Sequence, residues 1–263
     1  MLADPDVDDW LCVPIINECK LEQGIESMKA LEWKGDAKPY VELVSKAALI
    51  VLFASGGTHK VLAIASLLHD WSTVEPIKRW TYLAAHASAL AFMSLLVLTT
   101  LVRYRPVRSS DGIEPRLSAL AGTFLGLALG LLLPADVPPA ITLIAVSLSA
   151  VGGILSAYVL LSLGRSFSIM PQARKLVTTG PYAIVRHPLY CSEELMALGV
   201  MLLFFSPLAV LIAAVHWAFQ LRRTANEEKV LRAEFPEYAA YAERTPRVIP
   251  RFVRVSRSAQ PTS

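Results

Sequence analysis

The sequence predicts an all-α fold, a polytopic membrane bundle of about six transmembrane helices that ends in a helical hairpin. Three observations predict it. Of the 263 residues, 54% are apolar and 18% charged, against roughly 25% charged in ordinary soluble chains. The apolar residues gather in long runs rather than in the short periodic stretches of a soluble core. Lys and Arg collect in the segments between those runs, as the positive-inside rule requires of cytoplasmic loops.

Residues 1–40 form an acidic N-terminal segment with Asp4, Asp6, Asp8 and Asp9. They lack the basic and apolar regions of a cleavable signal peptide, so insertion is expected to rely on the first membrane helix. Leu21, Ile25, Met28 and Leu31 fall near helical spacing and predict a short amphipathic helix. Residues 41–163 carry four spans. The first, 47–68, contains Gly56-Gly57-Thr58-His59-Lys60. A charge in mid-span costs about 2.5–3.5 kcal/mol on insertion scales. Lys60 therefore marks either a functional face or a span tilted or broken at its glycines. The second span, 80–102, has no Lys, Arg, Asp or Glu. Its His86 reads as a packed, hydrogen-bonded residue. The third, 117–133, places Gly122, Gly126 and Gly130 on one face, where small residues let another helix approach. The fourth, 140–163, has a similar face of Ser149, Gly152, Gly153 and Ser156.

Residues 164–250 hold the candidate chemistry. Gly180-Pro181 signals a turn, and Pro188 suits the first turn of a helix, where its missing N–H is no loss. Residues 188–205 and 208–221 are short for full spans, and Ser206-Pro207 between them makes a hairpin. The second of these helices is expected to continue through the charged residues 222–234 and stop near Pro236. Residues 251–263 read as a disordered tail. The loops 103–116 and 164–187 and the tail after 221 are basic, which places them in the cytoplasm, and six spans put both termini there.

Two blocks carry the motif. The first is Lys175-Leu-Val-Thr-Thr-Gly-Pro-Tyr182, followed by Arg186-His-Pro-Leu-Tyr190. The second is Arg223-Thr-Ala-Asn-Glu227-Glu228, then Phe235-Pro-Glu-Tyr238, Tyr241, Arg244 and Pro246. In this order they resemble the signature of the isoprenylcysteine carboxyl methyltransferase family, integral-membrane enzymes that use S-adenosyl-L-methionine. The resemblance covers about the last hundred residues. It implies methyl transfer to a carboxylate, with the cofactor site at the cytoplasmic face. It assigns cofactor contacts to Gln172, the backbone of Arg174, Lys175, Leu176 and Val177, and then to Tyr182, His187, Pro188, Leu189 and Tyr190. Glu227 is matched to the ribose diol, which asks for a carboxylate accepting two hydrogen bonds. Arg223 is matched to the methyl acceptor, and Arg186 adds positive charge nearby. Cys191-Ser192 depart from the family's apolar residue and glycine, and Phe235-Pro236 from its Phe-Gly.

Elementary chemistry agrees with these assignments. Methyl transfer from a sulfonium is an in-line displacement that needs no metal and no covalent intermediate. A carboxylate is already ionised at pH 7. The site has only to align the reactants and exclude water. Arg223 and Glu227 are four residues apart and share a helix face. Cys12, Cys19 and Cys191 are too few and too scattered for a disulfide framework or a zinc site. A net charge of +3, with the basic residues beside membrane segments, gives no nucleic-acid footprint. The expected partners are the bilayer and a lipophilic or small-molecule acceptor. Other readings stay open: a thiol or lipid-amine acceptor, a sterol-reductase-like enzyme using a nicotinamide cofactor, or a membrane scaffold without activity.

Overall fold

Proline opens most of the helices, and glycine decides how closely they pack. The computed structural model describes residues 39–133 and 135–250. The amphipathic helix expected around 21–31 and the tail 251–263 lie outside the described residues. Among those described, seven α-helices follow one another: α1 Pro39–His69, α2 Pro76–Val102, α3 Glu114–Phe124, α4 Pro139–Leu163, α5 Pro188–Leu203, α6 Pro207–Glu234 and α7 Tyr238–Arg244. Two short strands, β1 Arg108–Ser109 and β2 Gln172–Ala173, pair antiparallel and fasten the loop after α2 to the loop after α4. Proline sits in the first turn of α2 to α6, where it removes no helical hydrogen bond. Ser206 caps α6 by accepting from the Ala209 amide at 3.1 Å.

Three stretches are long and apolar enough to cross a membrane: Leu43–His69, Pro76–Val102 and Pro139–Ser166. They coincide with the first, second and fourth expected spans. α1 runs unbroken through Gly56 and Gly57, which meet Met93 and Leu90 of α2. Of the readings left open for Lys60, a break at these glycines does not occur. The third expected span, 117–133, is not one α-helix. It is α-helical only to Phe124 and winds on as a tighter 3₁₀ helix over Leu125–Leu131. Gly126 lies there against the ring of His216 from α6, and a Cβ would come within 3.3 Å of it. A segment with two glycines has little propensity to hold the α conformation against such a neighbour.

α4 is the central helix, and its small residues are the reason. A Cβ on Gly152 would lie 2.6 Å from the Met196 amide nitrogen of α5, and one on Gly153 would lie 2.6 Å from Ser88 Oγ of α2. Gly199 of α5 returns the contact, because a Cβ there would strike the Ala145 carbonyl and Ser149 of α4. Backbones this close gain dispersion over their whole length. The predicted small face Ser149, Gly152, Gly153 and Ser156 thus packs as read. α3 docks on α6 by polar contacts instead. Buried Asn226 donates to Glu114 at 3.1 Å and to Ser118 at 3.0 Å. α6 extends from its apolar start to Glu234, so its second half carries the start of the second motif block, Arg223 to Glu228, and α7 carries Tyr238, Tyr241 and Arg244.

Candidate active site

The loop after α4 becomes a pocket wall because it is tied down at several points. Gly164 adopts a positive φ of 53° and turns the chain out of α4, a conformation glycine takes without strain. The β1–β2 pair holds residues 172–173. Gly180, with φ of 61°, opens the 3₁₀ turn Gly180–Ala183. The Arg186 and His187 amides then donate to the Pro246 and Arg247 carbonyls, at 2.8 and 3.1 Å. Tyr241 donates its hydroxyl to the Tyr182 carbonyl at 2.6 Å. The two motif blocks, about thirty residues apart in sequence, are therefore joined through backbone hydrogen bonds.

They line a cleft with about 710 Å³ of atom-free space, some of it open to solvent. Twelve of the expected site residues line it: Gln172, Arg174, Lys175, Leu176, Val177, Tyr182, Arg186, His187, Leu189, Tyr190, Arg223 and Glu227. Pro188 does not; it is buried at the first turn of α5.

The two adjacent glutamates have divergent surroundings. Successive helical residues point about 100° apart, and here that separates two tasks. Glu227 faces the cleft with its side chain one-third exposed. Its Oε2 accepts the Tyr190 hydroxyl at 2.7 Å. Glu228 is buried at the centre of an ionic knot. It accepts from Arg247 Nε and Nη2 at 3.0 and 2.8 Å and pairs with Arg186 Nη2 at 3.0 Å. It also lies 3.1 Å from His187 Nε2. An ionised carboxylate only accepts, so Nε2 carries the proton. Burial alone would raise the Glu228 pKa, but the His187 and Arg247 hydrogen bonds and the Arg186 charge outweigh it and bring the pKa to about 2. Burial likewise lifts the Tyr241 hydroxyl, to about 12, and keeps it a donor.

The place of Arg186 beside His187 in sequence suggests that it adds positive charge near the methyl acceptor. Arg186 touches the cleft; its Nη2 pairs with Glu228 and its Nη1 donates to the Ala242 carbonyl at 2.6 Å, while its Nε, like that of Arg223, has no hydrogen-bond partner among the described residues. Gln172 is engaged too. It accepts from Ser168 at 3.0 Å and Arg174 at 2.7 Å and donates to Ser109 at 3.2 Å. His187 stacks on Tyr190, with centroids 5.4 Å apart and planes 21° apart. The Arg223 guanidinium lies 4.7 Å above the other partner of that stack, the Tyr190 ring. Its Nη2 donates to the Ile169 carbonyl at 3.0 Å. Arg223 Nε is buried and has no hydrogen-bond partner among the described residues. It is an unused donor on a residue lining the cleft.

Sequence reasoning left out several contributors. Leu163, Ser166, Phe167, Ser168, Leu231, Tyr238 and Tyr241 also line the cleft. Leu231 follows Glu227 by four residues, and helical spacing alone would have found it. Arg247 stands outside both motif blocks, and no local pattern marks it as a partner of Glu228. Among the described residues, no group of three or more His, Cys, Asp or Glu is placed to hold a metal ion.

Comparison with known proteins converges on the same stretch. The model of the isoprenylcysteine carboxyl methyltransferase family matches residues 144–233. Protein-S-isoprenylcysteine O-methyltransferase B of Arabidopsis thaliana is 35% identical over 106 residues, which are 38% of this chain and 54% of that protein. The cobalt-zinc-cadmium resistance protein CzcN of Cupriavidus metallidurans is 39% identical over 77 residues, 29% of this chain and 36% of the relative. Protein-S-isoprenylcysteine O-methyltransferase of Schizosaccharomyces pombe is 33% identical over 106 residues, 38% and 45% of the two chains. The chain thus spans about half, or less, of the length of these relatives. Residues 144–233 include every cleft-lining residue except Tyr238 and Tyr241, and over that stretch the resemblance read in the two motif blocks is to the isoprenylcysteine carboxyl methyltransferase family.

Proposed function

We propose that the protein is a multi-pass membrane methyltransferase that uses S-adenosyl-L-methionine to methylate a carboxylate on a lipophilic acceptor. The observation that carries this reading is Arg223. It lines the cleft, is 3% exposed, lies one helical turn from Glu227, and has a buried Nε without a hydrogen-bond partner among the described residues. A buried guanidinium with an unused donor is costly unless something accepts from it. An anion meets that need best, because a carboxylate takes two parallel bonds from a guanidinium edge.

The cofactor, when bound, supplies a methyl group on a sulfonium, and a carboxylate takes it by in-line displacement. The chain's own residues do the rest. Glu227 offers a carboxylate for the ribose diol, and the Tyr190 hydroxyl fixes its orientation. The backbone of 174–177 and the hydroxyl-bearing rings of Tyr182 and Tyr238 line the remaining wall. Leu163, Phe167, Leu189 and Leu231 exclude water and so strip the nucleophile of its shell. Arg186 and Glu228 keep the loop in place rather than touching the acceptor.

For topology, the reading is six crossings with the cleft and both termini at the cytoplasmic face. The chain divides into an N-terminal segment (residues 1–40), a membrane region (41–163), a catalytic region (164–250) and a tail (251–263). The basic loops support this orientation. Calorimetry with S-adenosylhomocysteine and with NADPH tests the cofactor, and radiolabelled methyl transfer to N-acetyl-S-farnesyl-L-cysteine tests the acceptor. Binding of NADPH alone would replace the methyltransferase with a reductase. Cysteine labelling at positions 110, 170 and 240 should report one side and labelling at 136 the other. Opposite sides for 170 and 240 would break the six-crossing arrangement.

A further inference from the structure

Three features of the bundle have no role in the assignments above: Gly122 of α3, buried Gln220 on α6, and Glu193 on α5. They meet behind Arg223. Gln220 is 3% exposed. Its Oε1 accepts from Arg223 Nη1 at 3.4 Å, and its Nε2 donates to Glu193 Oε2 at 3.3 Å. A Cβ on Gly122 would lie 2.9 Å from Gln220 Oε1. Gly122 therefore leaves the notch in which that carbonyl sits. The glycine spacing that predicts close packing has, at this position, a definite occupant.

The chemistry of the bridge is directional. A guanidinium can only donate, and a carboxyl oxygen without a proton can only accept. A group placed between them must accept on one side and donate on the other. Glutamine does both in one orientation. Leucine does neither, and glutamate cannot donate to Glu193 when ionised. The Ile169 carbonyl holds Arg223 Nη2, and the Tyr190 ring supports the guanidinium plane. Gln220 supplies the remaining restraint. A long side chain held this way loses little further freedom when it grips an acceptor.

We propose that Gln220, seated in the Gly122 notch and tied to Glu193, is a positioning residue that orients the Arg223 guanidinium and thereby sets the hold on the acceptor carboxylate. This rests on the acceptor role proposed above for Arg223. Its direction of action is away from the cofactor, because neither Gln220 nor Glu193 lines the cleft.

The test uses the full chain in detergent with N-acetyl-S-farnesyl-L-cysteine as the acceptor probe, and S-adenosylhomocysteine calorimetry and thermal unfolding as readouts independent of turnover. Gln220→Leu should lower acceptor kcat/KM by about tenfold or more, the usual consequence of losing a hydrogen bond to a charged group. Affinity for S-adenosylhomocysteine should stay within about twofold, since neither Gln220 nor Glu193 lines the cleft. Gln220→Glu should be worse, because it sets two carboxyls face to face. Adding Glu193→Gln to that variant should restore acceptor kinetics, since the donor and acceptor ends are merely exchanged. Gly122→Ala should reproduce the Gln220→Leu defect with residue 220 untouched, which serves if the leucine variant does not fold. A Gly122→Ala or Gln220→Leu enzyme with wild-type acceptor kinetics overturns the inference. So does a loss shared equally by stability and cofactor binding that the exchanged pair does not rescue, which is what structural glue alone would give. A wild-type protein that binds S-adenosylhomocysteine but never methylates the probe overturns the carboxylate reading, and the inference falls with it.

Discussion

The two ends of the α4–α5 contact are held by opposite means. In the bundle, shape does the work: Gly152, Gly153 and Gly199 leave room for the backbones and side chains of the helices they face. At the motif end, charge does it: Glu228 gathers Arg186, His187 and Arg247 around one carboxylate. The peripheral helix shows the first regime at its limit. Only 11% of the α1 window is buried against protein, compared with 44% for α4. Lipid supplies apolar contact to α1 that protein need not provide. The Arg186, His187 and Glu228 side chains are almost fully buried, so the cleft end must be satisfied internally. The bundle should therefore respond to volume and the cleft end to charge and pH.

The largest expected effect comes from the charge side. Glu228→Ala removes the shared partner of three basic groups. Breaking a buried ion pair by deleting one member costs about 3–5 kcal/mol. Thermal unfolding should show the loss, and the loop 174–187 should become sensitive to protease. Acid should mimic it. The Glu228 pKa is depressed from 4.5 to about 2, so its contribution is fully present above pH 4.5 and is lost as pH falls toward 2. The acid limb of the stability profile should flatten in Glu228→Gln. An unchanged limb would move the charge-held regime away from this residue.

Next comes Glu227, which separates binding from holding. Glu227→Ala should weaken S-adenosylhomocysteine by roughly ten- to a hundredfold, a loss of about 1.5–3 kcal/mol in charge-assisted hydrogen bonding. Its unfolding temperature should barely change, because the side chain is one-third exposed and its partners are the Tyr190 hydroxyl and, at 3.9 Å, His187 Nδ1. Calorimetry and unfolding on the same preparation check both halves. Equal damage from Glu227→Ala and Glu228→Ala would erase the distinction between the neighbours.

This division also explains what the sequence could disclose. Periodicity and the two motif blocks mark the spans at α1, α2 and α4 and bring twelve residues to one cleft. They can say that Glu227 and Glu228 point apart, since adjacent helical residues must. They cannot say which one meets Arg247, because that contact depends on where the chain returns after α7. The 3₁₀ winding over Leu125–Leu131 escapes for a similar reason. Gly126 looks the same in a packed α-helix, and only the approach of His216 from α6 distinguishes the two. Gln172 is legible as a cleft residue, but not its three internal hydrogen bonds, one of which needs Ser109 from a distant loop.

On the bundle side, Gly199→Ala places a methyl group against the Ala145 carbonyl and Ser149. Overpacking of this kind costs about 1–3 kcal/mol, and here it meets backbone that cannot rotate away. The unfolding temperature should fall at every pH alike, with cofactor affinity unchanged in the folded fraction. A pH-dependent loss would mean that the bundle and the ionic knot melt as one.

The smallest expected effect lies where the two regimes meet. Ser156 of α4 donates to Ser192 Oγ at 2.9 Å, and Ser192 donates onward to the Leu189 carbonyl at 2.8 Å. Ser192 stands where the family usually has glycine, so this relay belongs to the chain's own departure from the pattern. It lies one turn from the Gly152–Met196 contact on one side and two residues after Tyr190 in sequence on the other. Ser156→Ala removes one link but leaves Ser192 its bond to Leu189. The cost should be near the average of about 0.6 kcal/mol for hydrogen bonds between membrane helices. Ser192→Ala strips both links and should cost about 1 kcal/mol. If shape and charge are independent, neither variant changes S-adenosylhomocysteine affinity, although Leu189 and Tyr190 both line the cleft. A shift in affinity with Ser156→Ala, a residue outside the cleft lining, would show that the bundle tunes the site through the first turn of α5.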